Sequence, residues 1–213
     1  MFTGKIPQRS IKPLLLALLW LCLSLPLMAS ESRSLLVLGD SLSAGYGIAE
    51  DESWVSLLKE RLSESHPQWE VINASVSGET TDGGLRRLDR LLDHHQPELI
   101  LIQLGGNDGL RGFPHQQTRD NLAGLIERSQ EAGAEVLLLG IELPPNYGRR
   151  YTEAFARQYR ELAREYEVPL LPFLLEGIYD REGMMQSDDI HPTAQAQPLI
   201  LDNVWEELEP MLE

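Results

Sequence analysis

Short apolar runs alternate with longer amphipathic stretches along most of the chain, and this alternation restricts the fold more than any other feature. Five apolar runs have the length and composition of buried strands, at 34–38, 70–73, 99–104, 135–141 and 168–172. Five amphipathic stretches have helical periodicity, at 52–64, 82–94, 118–132, 152–167 and 193–208. Such alternation predicts a three-layer α/β/α sandwich around a central, mostly parallel five-stranded sheet.

The first 29 residues have the composition of an export signal. Lys5, Arg9 and Lys12 precede an uncharged apolar run at 14–27, and the small residue Ala29 follows. This order is typical of a cleaved secretory signal peptide, and the run is shorter than the ~20 residues that span a bilayer. An uncleaved anchor is the alternative. We predict a signal peptide over 1–29, a single domain over 30–213, and export to the periplasm or medium without stable membrane insertion after cleavage.

The charge balance restricts the partners that the protein would bind. Acidic residues number 33 and Lys and Arg together 18, for a net charge of −15. Loss of residues 1–29 would remove three of the positive charges. Such an acidic chain lacks the cations that neutralise phosphates, which argues against nucleic-acid binding. The single cysteine, Cys22, lies in the predicted signal, so neither an internal disulfide nor a thiolate zinc site is expected.

Polar residues and glycines follow the first three predicted strands, at the sheet edge where ligands bind in parallel α/β folds. Ser41 follows the first strand, Gly78 the second and Asn107 the third, while Asp188 and His191 precede the last helix. Each has an ordinary interpretation as a helix cap, a turn residue or a packed histidine. The catalytic interpretation is a hydroxyl nucleophile, an imidazole base with its orienting carboxylate, and N–H donors for an oxyanion.

The order of these blocks resembles that of the SGNH hydrolases, also called GDSL esterases/lipases. The sequence reads GDSL at 39–42, has its block glycine at 78, and reads GGND at 105–108 and DxxHP at 188–192. The resemblance extends from Leu35 to about Trp205 and is strongest to the exported arylesterases and acyl-CoA thioesterase/lysophospholipases. It implies the flavodoxin-like version of the predicted sandwich.

The resemblance also implies a role for each matching position. Ser41 would be the nucleophile, His191 the general base and then general acid, and Asp188 the carboxylate that orients the imidazole. The backbone N–H groups of Ser41 and Gly78 and the side chain of Asn107 would form the oxyanion hole. No metal or organic cofactor would take part.

Substrate choice is less strongly determined by the sequence. By the same resemblance, the loop at 142–150 would shape an acyl groove, with Pro145 and Tyr147 lining it. Asp189 stands where the related subgroup more often has glycine, and is a rival to Asp188 as orienting carboxylate. We predict a monomeric serine hydrolase of small-molecule esters and thioesters, such as aryl esters, fatty acyl-CoA and lysophospholipids. A carbohydrate O-acetylesterase and a non-catalytic flavodoxin-like binding module are the alternatives.

Overall fold

The computed structural model describes residues 1–4 and 32–213, and residues 32–213 form one compact unit. Most of the predicted signal peptide, including Cys22, lies outside the described residues. The signal peptide over 1–29 therefore stays a prediction. Among the described helices, none combines the length and the apolarity needed to cross a membrane.

Five strands form a single sheet in the order β2-β1-β3-β4-β5, and every neighbouring pair is parallel. The strands are β1 Arg33–Gly39, β2 Trp69–Asn73, β3 Leu99–Gln103, β4 Glu135–Leu139 and β5 Leu170–Leu171. Val37 of β1 lies opposite Asn73, the last residue of β2, on one side and opposite Leu101, in the middle of β3, on the other. The predicted fold class is confirmed.

Seven α-helices in residues 32–213 cover the two faces of this sheet. They are α1 Ser41–Ala44, α2 Trp54–Ser65, α3 Thr81–His95, α4 Gly106–Leu110, α5 His115–Glu131, α6 Arg149–Glu165 and α7 Gln197–Leu208. Helices α2 and α7 pack against each other, whereas α5 packs against both α3 and α6. The chain leaves β1 in one direction along the sheet and β3 in the other. Right-handed crossovers in opposite directions place their helices on opposite faces, so these two groups are the expected outer layers.

The core lies around the two central strands. Residues 35–38 of β1 and 99–102 of β3 are at most 1% exposed, because helices cover both faces of the sheet. Trp54 on α2 and Phe155 and Tyr159 on α6 are the largest fully buried side chains. Burial of each such side chain contributes roughly 1.5–3 kcal/mol or more, so the sheet is a rigid support for the loops at its edge.

Most element boundaries differ from the prediction by a few residues, and two differences have clear causes. Strand β5 is only two residues long because Pro169 and Pro172, which flank it, have no N–H to donate to a strand ladder. The last helix begins at Gln197 rather than at 193, after a 3₁₀ turn over Ala194–Ala196. Pro198 then occupies its first turn, where the missing N–H costs nothing.

Candidate active site

The site lies where β1 and β3 meet at the carboxyl edge of the sheet. The two strands are neighbours, but the chain leaves β1 toward β2 and leaves β3 toward β4. This is the switch point at which parallel α/β sheets leave a crevice for ligands. Ser41 begins the short helix directly after β1, and Asn107 lies on the short helix directly after β3.

The helix that carries Ser41 is fixed from both sides. The Asp40 carboxylate caps it by accepting the Leu42 N–H at 3.0 Å. The Leu42 carbonyl in turn accepts the indole N–H of the buried Trp54 at 3.2 Å. Gln197, at the start of α7, accepts the Trp54 backbone N–H at 3.0 Å. The nucleophile candidate is therefore attached, through Trp54, to the helical layer formed by α2 and α7.

Ser41, His191 and Asp188 form a continuous chain of hydrogen bonds. The His191 Nε2 atom lies 2.9 Å from the Ser41 hydroxyl, and Nδ1 lies 2.7 Å from the Asp188 Oδ2 atom. The Asp188 Oδ1 atom accepts the backbone N–H groups of Ile190 and His191, each at 3.0 Å. Asp188 rather than Asp189 thus contacts the imidazole, while Asp189 has a left-handed backbone, with φ of 54°, in the turn between them.

The ionisation of Asp188 suits the role of a fixed negative partner. Partial desolvation raises its pKa, but the hydrogen bonds from the His191 side chain and from the backbone outweigh this and lower the pKa to about 2. The carboxylate is consequently charged at neutral pH. Its contact with Nδ1 favours the Nδ1–H tautomer, in which the Nε2 lone pair faces the serine hydroxyl.

The loop that carries His191 is bound to the loop after α1. The Gln186 side-chain amide donates to the carbonyls of Tyr46 at 2.9 Å and Pro192 at 3.0 Å. The Gln186 backbone N–H also donates to the His191 carbonyl at 2.7 Å. The Tyr46 ring lies 4.4 Å, centroid to centroid, from the imidazole. These contacts restrict the imidazole to the position beside Ser41.

The three candidate oxyanion donors lie in the segments that follow β1, β2 and β3, and Arg111 contacts both Gly78 and Asn107. Within the described chain, the backbone N–H groups of Ser41 and Gly78 donate to no other residue. Gly78 has φ of +77°, a left-handed conformation that glycine adopts without strain. The Asn107 side chain extends from α4, and its Nδ2 atom lies 3.4 Å from the Asp40 Oδ2 atom.

A buried polar cluster that the sequence analysis did not assign lies beneath these donors. Asp40 is 2% exposed, and its Oδ1 atom accepts the Gln103 Nε2–H at 3.0 Å. The Gln103 Oε1 atom accepts the Ser43 hydroxyl at 2.6 Å. Burial raises the pKa of Asp40 to about 6, although hydrogen bonds from Leu42 and Gln103 oppose the rise. A single glutamine within the apolar strand β3 was the sequence signal for this cluster.

Asp108, the last residue of the GGND block, lies in a different network. It is 1% exposed and accepts both the backbone N–H of Thr81, at 3.0 Å, and its hydroxyl, at 2.6 Å. Burial raises the pKa of Asp108, with the Thr81 hydrogen bonds acting against the rise. Asp108 therefore attaches the helix of Asn107 to the start of α3.

An apolar cavity of about 200 Å³ opens beside Ser41. Its apolar walls come from Leu42, Leu110, Ile141, Leu143, Pro144, Phe173, Leu175 and Ile190. Neither predicted groove residue lines it. Pro145 lies in an adjoining groove of about 560 Å³, and the Tyr147 hydroxyl donates to the Leu110 carbonyl at 3.1 Å from outside. The part of the chain that the structure describes contains no cluster of three or more His, Cys, Asp or Glu residues suited to a metal ion.

Comparison with known proteins identifies the family to which the chain is similar. The model of the GDSL-like Lipase/Acylhydrolase family matches residues 37–198. The chain is 49% identical to Esterase TesA of Pseudomonas aeruginosa over 90% of its own length and 96% of that protein. It is 48% identical to Thioesterase 1/protease 1/lysophospholipase L1 of Escherichia coli K12, over 86% of the chain and 87% of the relative.

A solved structure agrees with this result. The crystal structure of TesA superposes with a TM-score of 0.82 at 50% identity, over 84% of this chain and 99% of that one. The predicted family and the predicted enzyme class, a carboxylic ester hydrolase, are both confirmed. On these matches, the chain belongs to the GDSL-like lipase/acylhydrolase family.

Proposed function

We propose that the protein hydrolyses carboxylic esters and acyl thioesters at Ser41, through an acyl-enzyme, with His191 and Asp188 as its catalytic partners. One observation carries the proposal: the hydrogen-bond chain from Asp188 through His191 to Ser41, at 2.7 and 2.9 Å, ends at the wall of an apolar cavity. A nucleophile, an oriented base and a place for an apolar acyl group are thus adjacent.

The geometry supports a two-step reaction. His191 Nε2 removes the hydroxyl proton as Ser41 Oγ attacks the acyl carbon, and the carbonyl oxygen becomes an oxyanion held by the donors of Ser41, Gly78 and Asn107. The imidazolium then gives its proton to the leaving alcohol or thiol as the bond to the acyl carbon breaks. Water, deprotonated by the same imidazole, releases the acid and restores the Ser41 hydroxyl.

The cavity favours acyl chains over acetyl groups. Leu110, Ile141, Leu143, Phe173 and Leu175 supply apolar surface that an acetyl group would leave largely in contact with water. Glu142, Leu143, Pro144, Phe173 and Tyr179 also line the larger adjoining groove, so the wall continues past the first cavity. This favours aryl, acyl-CoA and lysophospholipid-type substrates over the acetylated sugars of the alternative hypothesis.

A series of p-nitrophenyl esters with acyl chains from two to sixteen carbons tests the substrate class. We expect kcat/KM to rise from acetate to medium chains, because each added methylene buries apolar surface worth ~0.8 kcal/mol until the groove is filled. A maximum at acetate with a steep loss beyond it would instead support the O-acetylesterase. Acyl-CoA and lysophospholipid, tested in parallel, compare thioester with ester hydrolysis.

The Ser41→Ala variant tests the nucleophile. We expect kcat for p-nitrophenyl butyrate to fall by roughly 10³-fold or more, with an unchanged circular dichroism spectrum. Ser129→Ala, which removes a buried hydroxyl that donates to the Leu125 carbonyl within α5 and contacts neither His191 nor the Asp40 cluster, is the matched control. Wild-type turnover in Ser41→Ala would reject the assignment, and an absence of hydrolytic activity in the wild type would favour the binding module.

We also propose that residues 1–29 direct export to the periplasm or medium and are then removed, and that the processed protein acts as a monomer. The basic, apolar and small-residue order of 1–29 supports the first part. N-terminal sequencing of the protein recovered outside the cytoplasm tests it, with a start near Ser30 expected. Retention of Met1 in a membrane fraction would indicate the uncleaved anchor. Light scattering of the processed protein tests the monomer.

A further inference from the structure

The side-chain amide of Asn107 lies between two groups of opposite charge. Its Nδ2 atom is 3.4 Å from the Asp40 Oδ2 atom, and its Oδ1 atom is 3.4 Å from the Arg111 NH2 group. We propose that Asp40 and Arg111 are positioning residues that hold this amide in one orientation and thereby prepare the oxyanion hole. The inference rests on the proposed function, because it takes Asn107 to be an oxyanion donor.

The Asp40 side of this arrangement is buried and its hydrogen bonds are nearly all assigned. The Oδ1 atom accepts the Leu42 backbone N–H and the Gln103 Nε2–H, each at 3.0 Å. Gln103 cannot turn over, because its Oε1 atom accepts the Ser43 hydroxyl at 2.6 Å and the Asp40 backbone N–H at 3.3 Å. The Oδ2 atom consequently remains free to accept one Nδ2 hydrogen of Asn107.

Arg111 acts from the solvent side. It follows α4 one turn after Asn107, and the same NH2 group that reaches the Asn107 Oδ1 atom also donates to the Gly78 carbonyl at 3.1 Å. One guanidinium group therefore contacts both residues that bring oxyanion donors from the loops after β2 and β3. In the described residues Arg111 forms no ion pair with an acidic side chain, so its charge is not neutralised by a partner.

These two contacts make the two orientations of the amide unequal. In the observed orientation a nitrogen faces the carboxylate and an oxygen faces the guanidinium, and both contacts are attractive. A half-turn of the side chain would place the Oδ1 atom against Asp40 and the Nδ2 group against Arg111, and both contacts would be repulsive. Since one Nδ2 hydrogen is directed to Asp40, the second remains for the oxyanion. A turned amide would direct its Oδ1 atom, which cannot donate a hydrogen bond, toward the oxyanion.

The test compares Arg111→Met with Arg128→Met, a matched exposed arginine that pairs with Asp89 away from the site. With p-nitrophenyl butyrate, we expect Arg111→Met to lower kcat about 10-fold with KM within about twofold, since a full oxyanion donor is worth roughly 10²–10³-fold. Arg128→Met should match the wild type. Arg111→Lys, which keeps a positive charge, should recover part of kcat.

A double-mutant cycle with Asn107→Ala decides whether Arg111 acts through the amide. In the Asn107→Ala background we expect Arg111→Met to change kcat less than about threefold. An equal 10-fold loss in both backgrounds, a change in KM alone, or no loss beyond the Arg128→Met control would each overturn the proposal. The Ser41→Ala result separates these outcomes from failure of the proposed function, because activity that survives Ser41→Ala would remove the oxyanion hole from the reaction altogether.

Discussion

Replacement of Asp40 by asparagine should change how stability depends on pH. Asp40 is 2% exposed, and burial raises its pKa from 3.8 to about 6. A group with a raised carboxyl pKa stabilises the folded protein fully below pH 3.8, and this contribution is lost as pH rises through 6. At ~1.4 kcal/mol for each tenfold change in proton affinity, the whole loss is about 3 kcal/mol. About 2 kcal/mol of it falls between pH 4.5 and pH 8.

The measurement is the free energy of unfolding in urea, followed by the fluorescence of the buried Trp54 and Trp69. We expect the Asp40→Asn protein to gain about 2 kcal/mol relative to the wild type as pH rises from 4.5 to 8. Other ionisable groups titrate in both proteins and largely cancel in the difference. Ser53→Ala removes a helix cap that accepts the Ser56 N–H and adds no ionisable group, so its stability difference should not vary with pH.

Parallel stability curves for the wild type and Asp40→Asn would refute this reasoning, because they would show that the carboxyl group has the same proton affinity folded and unfolded. A variant that loses stability relative to the wild type as pH rises would refute it more strongly. That result would mean that the hydrogen bonds from Leu42 and Gln103 stabilise the charged form by more than burial destabilises it.

Two further predictions concern the pH–rate profile and the packing behind the site. The pH–rate profile should include an acidic limb from Asp40, whose pKa is about 6 and whose charged form positions the Asn107 amide in our proposal, and none from Asp188, whose pKa is about 2. Asp188→Asn should lower kcat by roughly 10³–10⁴-fold in stopped-flow or steady-state assays. An acidic limb that persists unchanged in Asp40→Asn would contradict this. Gly140→Ala should destabilise the protein by roughly 3 kcal/mol or more in urea unfolding, because the new Cβ would lie 2.2 Å from the Pro172 carbonyl oxygen. Gly124→Ala, which meets only the flexible end of Leu85 at 3.3 Å, should change stability by less than about 1 kcal/mol, and equal effects would contradict the steric argument.

The strands and long helices were predictable because their hydrophobic patterns extend over enough residues to be recognised. The residues of β1 and β3 form continuous apolar runs, as burial on both faces requires. The short helices at Ser41–Ala44 and Gly106–Leu110 were not predicted, since four or five residues do not complete a recognisable helical period. Both are held by contacts distant in sequence, such as the bond from Trp54 to Leu42.

The candidate site was predictable to the extent that its blocks are local. Ser41, Gly78, Asn107, Asp188 and His191 each stand in a short motif at a strand or helix end, and the structure brings all five to one edge. Side-chain direction in loops has no such local signal. Pro145 and Tyr147 belong to the expected loop at 142–150, yet Glu142, Leu143 and Pro144 are the members of it that line the cavity.

The buried carboxylate explains why stability and the proposed activity make opposite demands on one position. A neutral residue of similar shape would avoid the cost of about 3 kcal/mol that Asp40 imposes above pH 6. Asparagine would keep the bonds to Leu42 and Gln103 through its one oxygen, but its amide nitrogen would then face the Asn107 nitrogen, donor against donor. Only a carboxylate has two oxygen acceptors, one for Leu42 and Gln103 and one for the Asn107 amide. In the proposed mechanism, the charge is therefore a stability cost that positions the Asn107 amide, and substitution by asparagine separates the two effects.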